Sequence, residues 1–343
     1  MFNRPTGIVE SGSVEQVSPD PNISLSVVVP CFNEEDVLIE LERRLCAVCD
    51  ENVPQAYEII LVDDGSRDST ANIIAEMVRR NPRITCIELS RNFGHQIALT
   101  AGLSFARGSR IFIIDADLQD PPELLGEMLR LMDQGANVVY RKRKIREGED
   151  QFKLKSAQLF YRVLSLITDV PIPLDAGDFR LIDRQTLSVF LSMPEQYRFI
   201  RGMIAWIGLN QVELTYERRE RFAGKTKYPF RKMLYFAIDA ITGFSIAPLR
   251  IAFFLALLAI GLTVPIGIYA IVSWIRSSTV AGWTSLLLLF LFFSSIQLLC
   301  MSIVGEYVGR TYMQTKQRPM YVIKAVHVGS RPRQSKSREL TEL

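Results

Sequence analysis

The sequence predicts an α/β domain on a mostly parallel sheet, followed by interfacial helices and two transmembrane helices. Short apolar, β-branched runs alternate with helical spacings as far as Tyr140. The runs are continuously apolar rather than alternating, which is how strands read when a parallel sheet is covered on both faces. Farther on, 25 residues (Ile251–Ile275) and then 29 (Ser277–Gly305) carry no charge, with Arg276 alone between them. About 20 predominantly apolar residues suffice to cross a bilayer as a helix.

The elements follow in order. Residues 1–22 are polar and unpatterned, a loose arm without the apolar segment of a signal peptide. Strands are expected at Leu25–Val29, Glu58–Val62, Ile84–Leu89, Ile111–Ile114 and Val138–Tyr140. Helices are expected at Glu34–Cys49, from Asp68 (a natural N-cap) to Arg80, at His95–Arg107, and after Asp120-Pro-Pro-Glu123, where proline suits a first turn. Past Tyr140 the spacing predicts a basic loop at Arg141–Arg146, a helix at Phe152–Ile167 and a turn into a strand at Asp175–Ile182. A helix at Arg201–Gly208 and a last strand at Val212–Tyr216 follow. The α/β domain thus spans 23–227. Interleaved apolar and cationic residues predict interfacial helices over 228–248. The two-helix membrane domain takes 249–308, and 309–343 is a cytoplasmic tail, polar and unstructured from Gly329.

Lys225, Lys227, Arg231, Lys232 and Arg250 precede the first apolar run, and Arg310, Lys316, Arg318 and Lys324 follow the second. The excess of cations on both flanks predicts a multi-pass cell-membrane protein with its α/β domain and both termini cytoplasmic. Trp274 and Trp283 would mark the outer interface. A net charge of +3 is too mild to argue for a nucleic-acid partner. Five cysteines, an odd number in a chain facing the cytoplasm, do not suggest disulfides. Cys46 and Cys49 have C-x-x-C spacing but no second pair to complete a zinc site.

Ligands of such sheets bind beyond the carboxyl ends of the strands, where this sequence gathers its carboxylates. Pro30-Cys-Phe-Asn-Glu-Glu35 follows the first strand, Asp63-Asp64-Gly65-Ser66 the second and Asp115-Ala-Asp117-Leu-Gln119 the fourth. Any one of these is ordinary turn chemistry, but three converging on one edge point to a site. There is no G-x-G-x-x-G and no G-x-x-x-x-G-K-[ST], so a nucleotide held here needs a metal and carboxylates rather than a glycine loop. Asp115, Asp117 and Gln119 present oxygens that suit Mg2+ or Mn2+ on a diphosphate. Asp63 and Asp64 offer acceptors to a base N–H or a ribose hydroxyl. Asp178 is the best candidate for a residue near an acceptor, or alternatively a turn-stabilising aspartate.

Val-Val-Pro-Cys-Phe-Asn-Glu-Glu, Val-Asp-Asp-Gly-Ser-Arg-Asp-Ser-Thr and Asp-Ala-Asp-Leu-Gln-Asp-Pro-Pro-Glu resemble the inverting family-2 glycosyltransferases of GT-A fold. Ser90-Arg-Asn-Phe-Gly-His95, Asp175-Ala-Gly-Asp-Phe-Arg180 and Arg221-Phe-Ala-Gly-Lys-Thr-Lys-Tyr-Pro229 narrow the resemblance to the polyprenyl-phosphate branch, from about Ile23 to Lys324. The resemblance implies that Pro30, Asn33, Glu35, Asp63 and Asp64 hold a UDP-sugar, with UDP-glucose favoured. Asp115, Asp117 and Gln119 would face the metal, with Asp115, Asp117 and Asp178 at the reacting centre. Arg143, Arg218, Arg221 and Lys227 would take the phosphate of a polyprenyl acceptor, or simply attract anionic lipid heads. A homo-oligomer is also expected. In two places the sequence departs from the pattern: His95 stands where a lysine commonly follows Asn-Phe-Gly, and Arg141 where a glycine is usual. No Gln-x-x-Arg-Trp is present, which argues for a single transfer. A protein or glycan acceptor, requiring a true base, and a non-catalytic nucleotide-sugar-binding protein are the competing readings.

Overall fold

A computed structural model describes residues 17–143, 177–216, 247–276 and 282–329. The expected helix Phe152–Ile167, most of the interfacial segment and the proposed cations Arg218, Arg221 and Lys227 lie outside the described residues. So do 1–16 of the arm, 277–281 of the connecting loop and 330–343 of the tail.

The strands are β1 (Leu25–Cys31), β2 (Tyr57–Asp63), β3 (Ile84–Leu89), β4 (Arg110–Ile113), β5 (Val138–Arg143), β6 (Arg180–Asp183), β7 (Gln211–Tyr216) and β8 (Ile323–Val328). Among them run α1 (Leu38–Asn52), α2 (Thr70–Arg80), α3 (His95–Phe105), α4 (Leu125–Asp133, after a 3-10 turn at Pro122–Leu124), α5 (Arg184–Ser192) and α6 (Ile200–Ile207). The sheet order is β7-β5-β6-β4-β1-β2-β3-β8. β4, β1, β2 and β3 run parallel; β6 is antiparallel to β4 and β5, and β8 antiparallel to β3. The result is a GT-A-like, mostly parallel sheet.

Every residue of β1 and β2 is buried, as expected of strands covered on both faces. Leu38, Leu41 and Leu45 of α1, Ile74 and Met77 of α2 and Leu125 and Met128 of α4 cover one face. Each such side chain contributes about 1.5–3 kcal/mol by leaving water. On the other face α3 lies unusually close. A Cβ on Gly102 would stand 2.5 Å from Val28 Cγ1 and 2.8 Å from Val62 Cγ2, so only glycine admits this approach. That contact fixes α3, whose first turn carries His95 and Gln96. Pro30 is tolerated inside β1 because β4 stops pairing at Val28, one turn of the pleat earlier, and its missing N–H breaks no ladder bond on that side.

Several expectations need correction. Arg141–Arg143 are not loop: they extend β5 and pair with Leu214–Tyr216. Arg141 is buried and forms an ion pair with Asp120. Asp68 sits one residue outside the N-cap of α2, accepting from Thr70 N at 3.1 Å. Helix α5 was not anticipated; it is capped by Asp183, which accepts from Thr186 N at 2.7 Å. The expectation for 309–343, a tail unstructured from Gly329, named no strand before that residue, and one lies there. Ile323–Val328 forms β8, and Tyr321 Oη lies 2.9 Å from Ser104 Oγ of α3.

A second unit holds α7 (Ala247–Ile275) and α8 (Trp283–Thr315), where Cys300 Sγ donates to Ala252 O at 3.4 Å. Among the described residues one stretch, Phe292–Thr315, is long and apolar enough to cross a membrane; α7 offers the shorter Pro248–Leu262. By this measure one of the two expected spans is present. The cysteines are all free, with Cys31, Cys49 and Cys86 buried.

At the amino end of the sheet Glu58 is 2% exposed and fully engaged. It accepts from Ser26 Oγ at 2.7 Å, Arg107 N at 2.7 Å, and Arg107 Nε and Nη2 at 2.9 and 2.5 Å. Glu58→Ala leaves those donors without an acceptor and should cost about 3 kcal/mol. Chemical denaturation should show the loss, while the hydrogen bonds at the carboxyl ends of the strands stay intact, since Glu58 lies at the opposite end of the sheet.

Candidate active site

The carboxyl ends of β1 to β4 share one edge of the sheet. The start of β6 joins them there because its antiparallel pairing sets Arg180 beside Ile113, the last residue of β4. This places Asp178, two residues before β6, next to Asp115, two residues after β4. Asp178 is 2% exposed and accepts four hydrogen bonds. Arg201 of α6 donates through Nε to Oδ1 at 2.8 Å and through Nη2 to Oδ2 at 3.3 Å; His95 Nε2 and Gln96 Nε2 each approach Oδ2 at 3.0 Å. His95 also stands 3.5 Å from Asp115 Oδ1.

The charges set one another. Burial acts to raise the Asp178 carboxyl, but the Arg201 charge and the His95 bond outweigh it and hold it well below the usual range. Burial disfavours imidazolium at His95, yet its bond to Asp178 and the charge of Asp115 push it up to about 9. Asp115 is raised, chiefly by burial, with His95 pulling the other way. Near neutral pH the site therefore holds a cationic imidazole against the ionised carboxylate of Asp178.

The residues expected to hold a nucleotide mostly bind the loops together. Asn33, at φ 55°, accepts from Arg67 N at 2.8 Å, and its own N–H donates to Ser66 Oγ at 3.0 Å. Glu35 accepts from Ser69 N at 2.9 Å, at the start of α2. Asp63 Oδ1 accepts from Ser66 N at 3.0 Å. Both Asp64 oxygens receive backbone N–H groups of the β3–α3 loop, Phe93 at 2.7 Å and Gly94 at 2.9 Å. Asp63 and Asp64 are 1% and 2% exposed. Pro30 is buried within β1. The turn at Asp117–Gln119 is tight: Leu118 adopts φ 55°, and Gln119 N donates to Asp117 Oδ1 at 3.1 Å. A buried leucine in the left-handed region costs about 1–2 kcal/mol, and the turn leaves Asp117 and Gln119 half-buried at the edge.

For a metal, the informative atom is Asp115 Oδ1, buried without a hydrogen-bond partner. Together with oxygens from Asp117 and Gln119 it would offer donors of the kind a hard divalent cation takes. His95, Asp115 and Asp178 also bring ligand atoms within 4.8 Å of one another, although His95 and Asp178 already satisfy each other there. In the sequence His95 stands out only as a departure from the family pattern, and Gln96 and Arg201 are not among its candidate residues. A histidine–glutamine pair opening a helix at the carboxyl edge was the available signal for Gln96; nothing local marks Arg201. Arg180, at the start of β6, donates to Gly177 O at 3.0 Å, and burial pushes its guanidinium down to about 10. The backbone of Arg143 ends β5, and its side chain lies outside the described residues.

Residues 26–190 match the family described as Glycosyl transferase family 2. The chain is 45% identical over 306 residues to the uncharacterized glycosyltransferase YkcC of Bacillus subtilis, covering 88% of this chain and 94% of that one. This chain belongs to glycosyl transferase family 2. It is a glycosyltransferase. Among other family-2 relatives, the prophage bactoprenol glucosyl transferase homolog of Escherichia coli is 37% identical over 305 residues, covering 89% of this chain and 99% of its own. The SfII prophage-derived bactoprenol glucosyl transferase of Shigella flexneri is 35% identical over 309 residues, covering 90% of this chain and all of its own.

Within this family-2 site the Asp64 clasp depends on Gly65. Its φ is +68°, and a Cβ there would stand 2.7 Å from Arg91 C and 2.8 Å from Asn92 N, both backbone. Gly65→Ala should therefore push the Arg91–Gly94 loop away, lower stability by about 2 kcal/mol and reduce transfer through the displaced His95. Unchanged thermal melting together with unchanged transfer would show that the loop is not clasped in this way.

Proposed function

We propose that this enzyme moves a hexose, glucose from UDP-glucose, onto polyprenyl phosphate at the cytoplasmic face of the membrane, with inversion and in a single transfer. The acceptor assignment is carried by Asp178. A carboxylate ringed by Arg201, His95 and Gln96 and held well below its usual range is a poor proton acceptor. A lipid phosphate, with a second pKa of about 6, needs none, because its nucleophilic oxygen is already an anion. A protein or glycan hydroxyl would need a base. The sugar and the carrier are supported by the bactoprenol glucosyl transferases, which match this chain over nearly their whole length.

In this reading a phosphate oxygen attacks C1 of the sugar opposite the nucleotide diphosphate. The new O–C1 bond forms as the C1–diphosphate bond breaks. Asp115, Asp117 and Gln119 would hold Mg2+ or Mn2+, which when bound neutralises the departing diphosphate. Pro30, Asn33, Glu35, Asp63 and Asp64 would shape the nucleotide pocket, several of them by fixing its loops rather than by direct contact. Asp178 holds Arg201 and His95 in place, an electrostatic role. Arg143, Arg218, Arg221 and Lys227 would take the acceptor phosphate, guanidinium groups gripping its oxygens in pairs. We read α7 and α8 as two spans, on the uncharged runs Ile251–Ile275 and Ser277–Gly305. The domain limits at 23–227, 228–248 and 249–308 belong to the same reading, as does a homo-oligomer.

Labelled UDP-glucose added to membranes should yield labelled lipid only when polyprenyl phosphate is supplied. Transfer to protein or glycan without it would support the base-dependent reading instead. Asp117→Asn should abolish transfer while leaving folding and membrane insertion intact; wild-type turnover at saturating Mg2+ and Mn2+ would remove the metal assignment. Reporter fusions should read cytoplasmic after Val328 and external at Ser278, and the reverse pattern would place the site away from the cytoplasm.

A further inference from the structure

Helix α6 opens without a cap of its own: Phe199 at its N-cap offers no side-chain acceptor to the first-turn amides. Helix starts leave such amides unsatisfied unless something else receives them. Here the acceptor arrives from another element. Gln96, in the first turn of α3, accepts from Ile200 N through Oε1 at 3.0 Å, while its Nε2 donates to Asp178 Oδ2 at 3.0 Å. The orientation of the amide follows from its partners: turned over, it would set oxygen against carboxylate and NH2 against N–H, losing both bonds. α3 is itself pinned to the sheet at Gly102, and Thr100 Oγ1 donates to Gln96 O at 2.8 Å within the same helix.

We propose that Gln96 is a positioning residue that sets the first turn of α6 against Asp178, and thereby aims Arg201 into the reacting centre. Arg201 is the residue after Ile200, so the phase of the first turn decides where its guanidinium points. Its Nε and Nη2 reach both oxygens of Asp178, and its side chain keeps 34% exposure toward solvent. One neutral amide thus couples a helix start, a buried carboxylate and a partly exposed cation drawn from segments about a hundred residues apart. A charged residue in its place would disturb the balance among His95, Asp115, Asp178 and Arg201; an apolar one would leave both the carboxylate and the helix amide short of a partner. The inference rests on the reading that Asp178 and Arg201 belong to the transfer site.

The test uses the full-length enzyme in membranes or detergent. Gln96→Leu should lower kcat about tenfold to a hundredfold, the scale on which small misplacements act. The KM for UDP-glucose should stay within about twofold, while the two lost bonds lower the melting temperature without unfolding the enzyme at the assay temperature. In an Arg201→Lys background the same substitution should have a much smaller effect on kcat, because the path through Arg201 is already broken. Should Gln96→Leu fail to fold, Gln96→Glu keeps the acceptor for Ile200 N and should show the same selective loss of kcat. Wild-type kcat in the folded variant, or effects of Gln96→Leu and Arg201→Lys that simply multiply, would overturn the proposal. If the wild-type enzyme transfers nothing to polyprenyl phosphate, it is the acceptor reading that fails, and the same variants are then compared by hydrolysis of the nucleotide-sugar.

Discussion

The carboxylate of Asp178 is the point on which the site is assembled. It lies beyond the beginning of a strand, whereas the other acidic residues of the site lie beyond strand ends, and only the antiparallel pairing of β6 with β4 brings the two groups together. A buried carboxylate with no partners would be several kilocalories per mole too costly to keep ionised. Arg201, His95 and Gln96 remove that cost, and in doing so each is itself fixed. The stability of the ionised centre and the geometry of its cations are therefore a single property.

The same economy appears one strand over. Asp64, Asp63, Asn33 and Glu35 tie the loops after β1, β2 and β3 to each other through backbone amides. Acidic loops would otherwise repel and open. Bound to N–H groups they become a rigid rim, a form of preorganisation that costs nothing further when a charged ligand arrives. Asp63 and Asp64, 1% and 2% exposed, spend their oxygens on these loop amides, whereas Asp117 and Gln119 stay half-buried at the edge.

Much of this was readable in the residues, and the limits have physical reasons. β1 to β4 announce themselves because strands covered on both faces are mostly apolar, with the few buried polar groups, such as Glu58 and Ser26, bonded to one another. The converging acidic clusters followed from knowing which end of a parallel strand carries the site. What could not be read depends on pairing across long separations. Arg201 and Gln96 meet Asp178 only after β6 reverses direction, and no local spacing encodes that reversal. β8 escaped notice because an edge strand need not be apolar: Lys324 and His327 project from it, and Lys324 pairs with Glu88 at 2.5 Å. Arg141 read as one more cation of a basic run, since only the structure brings Asp120 to it.

The position of β8 has a consequence for synthesis. The strand that completes the sheet beside β3 is made after both long apolar helices, so the chain leaves the α/β domain, runs through α7 and α8 and returns to it. Until that return, the outer edge of β3 presents unpaired backbone groups and Ser104 lacks its Tyr321 neighbour. The α/β domain therefore cannot reach its final form on the ribosome ahead of the apolar hairpin. Completion of the sheet reports that the hairpin has been made, and a chain stalled within it carries an open edge that invites association with other chains.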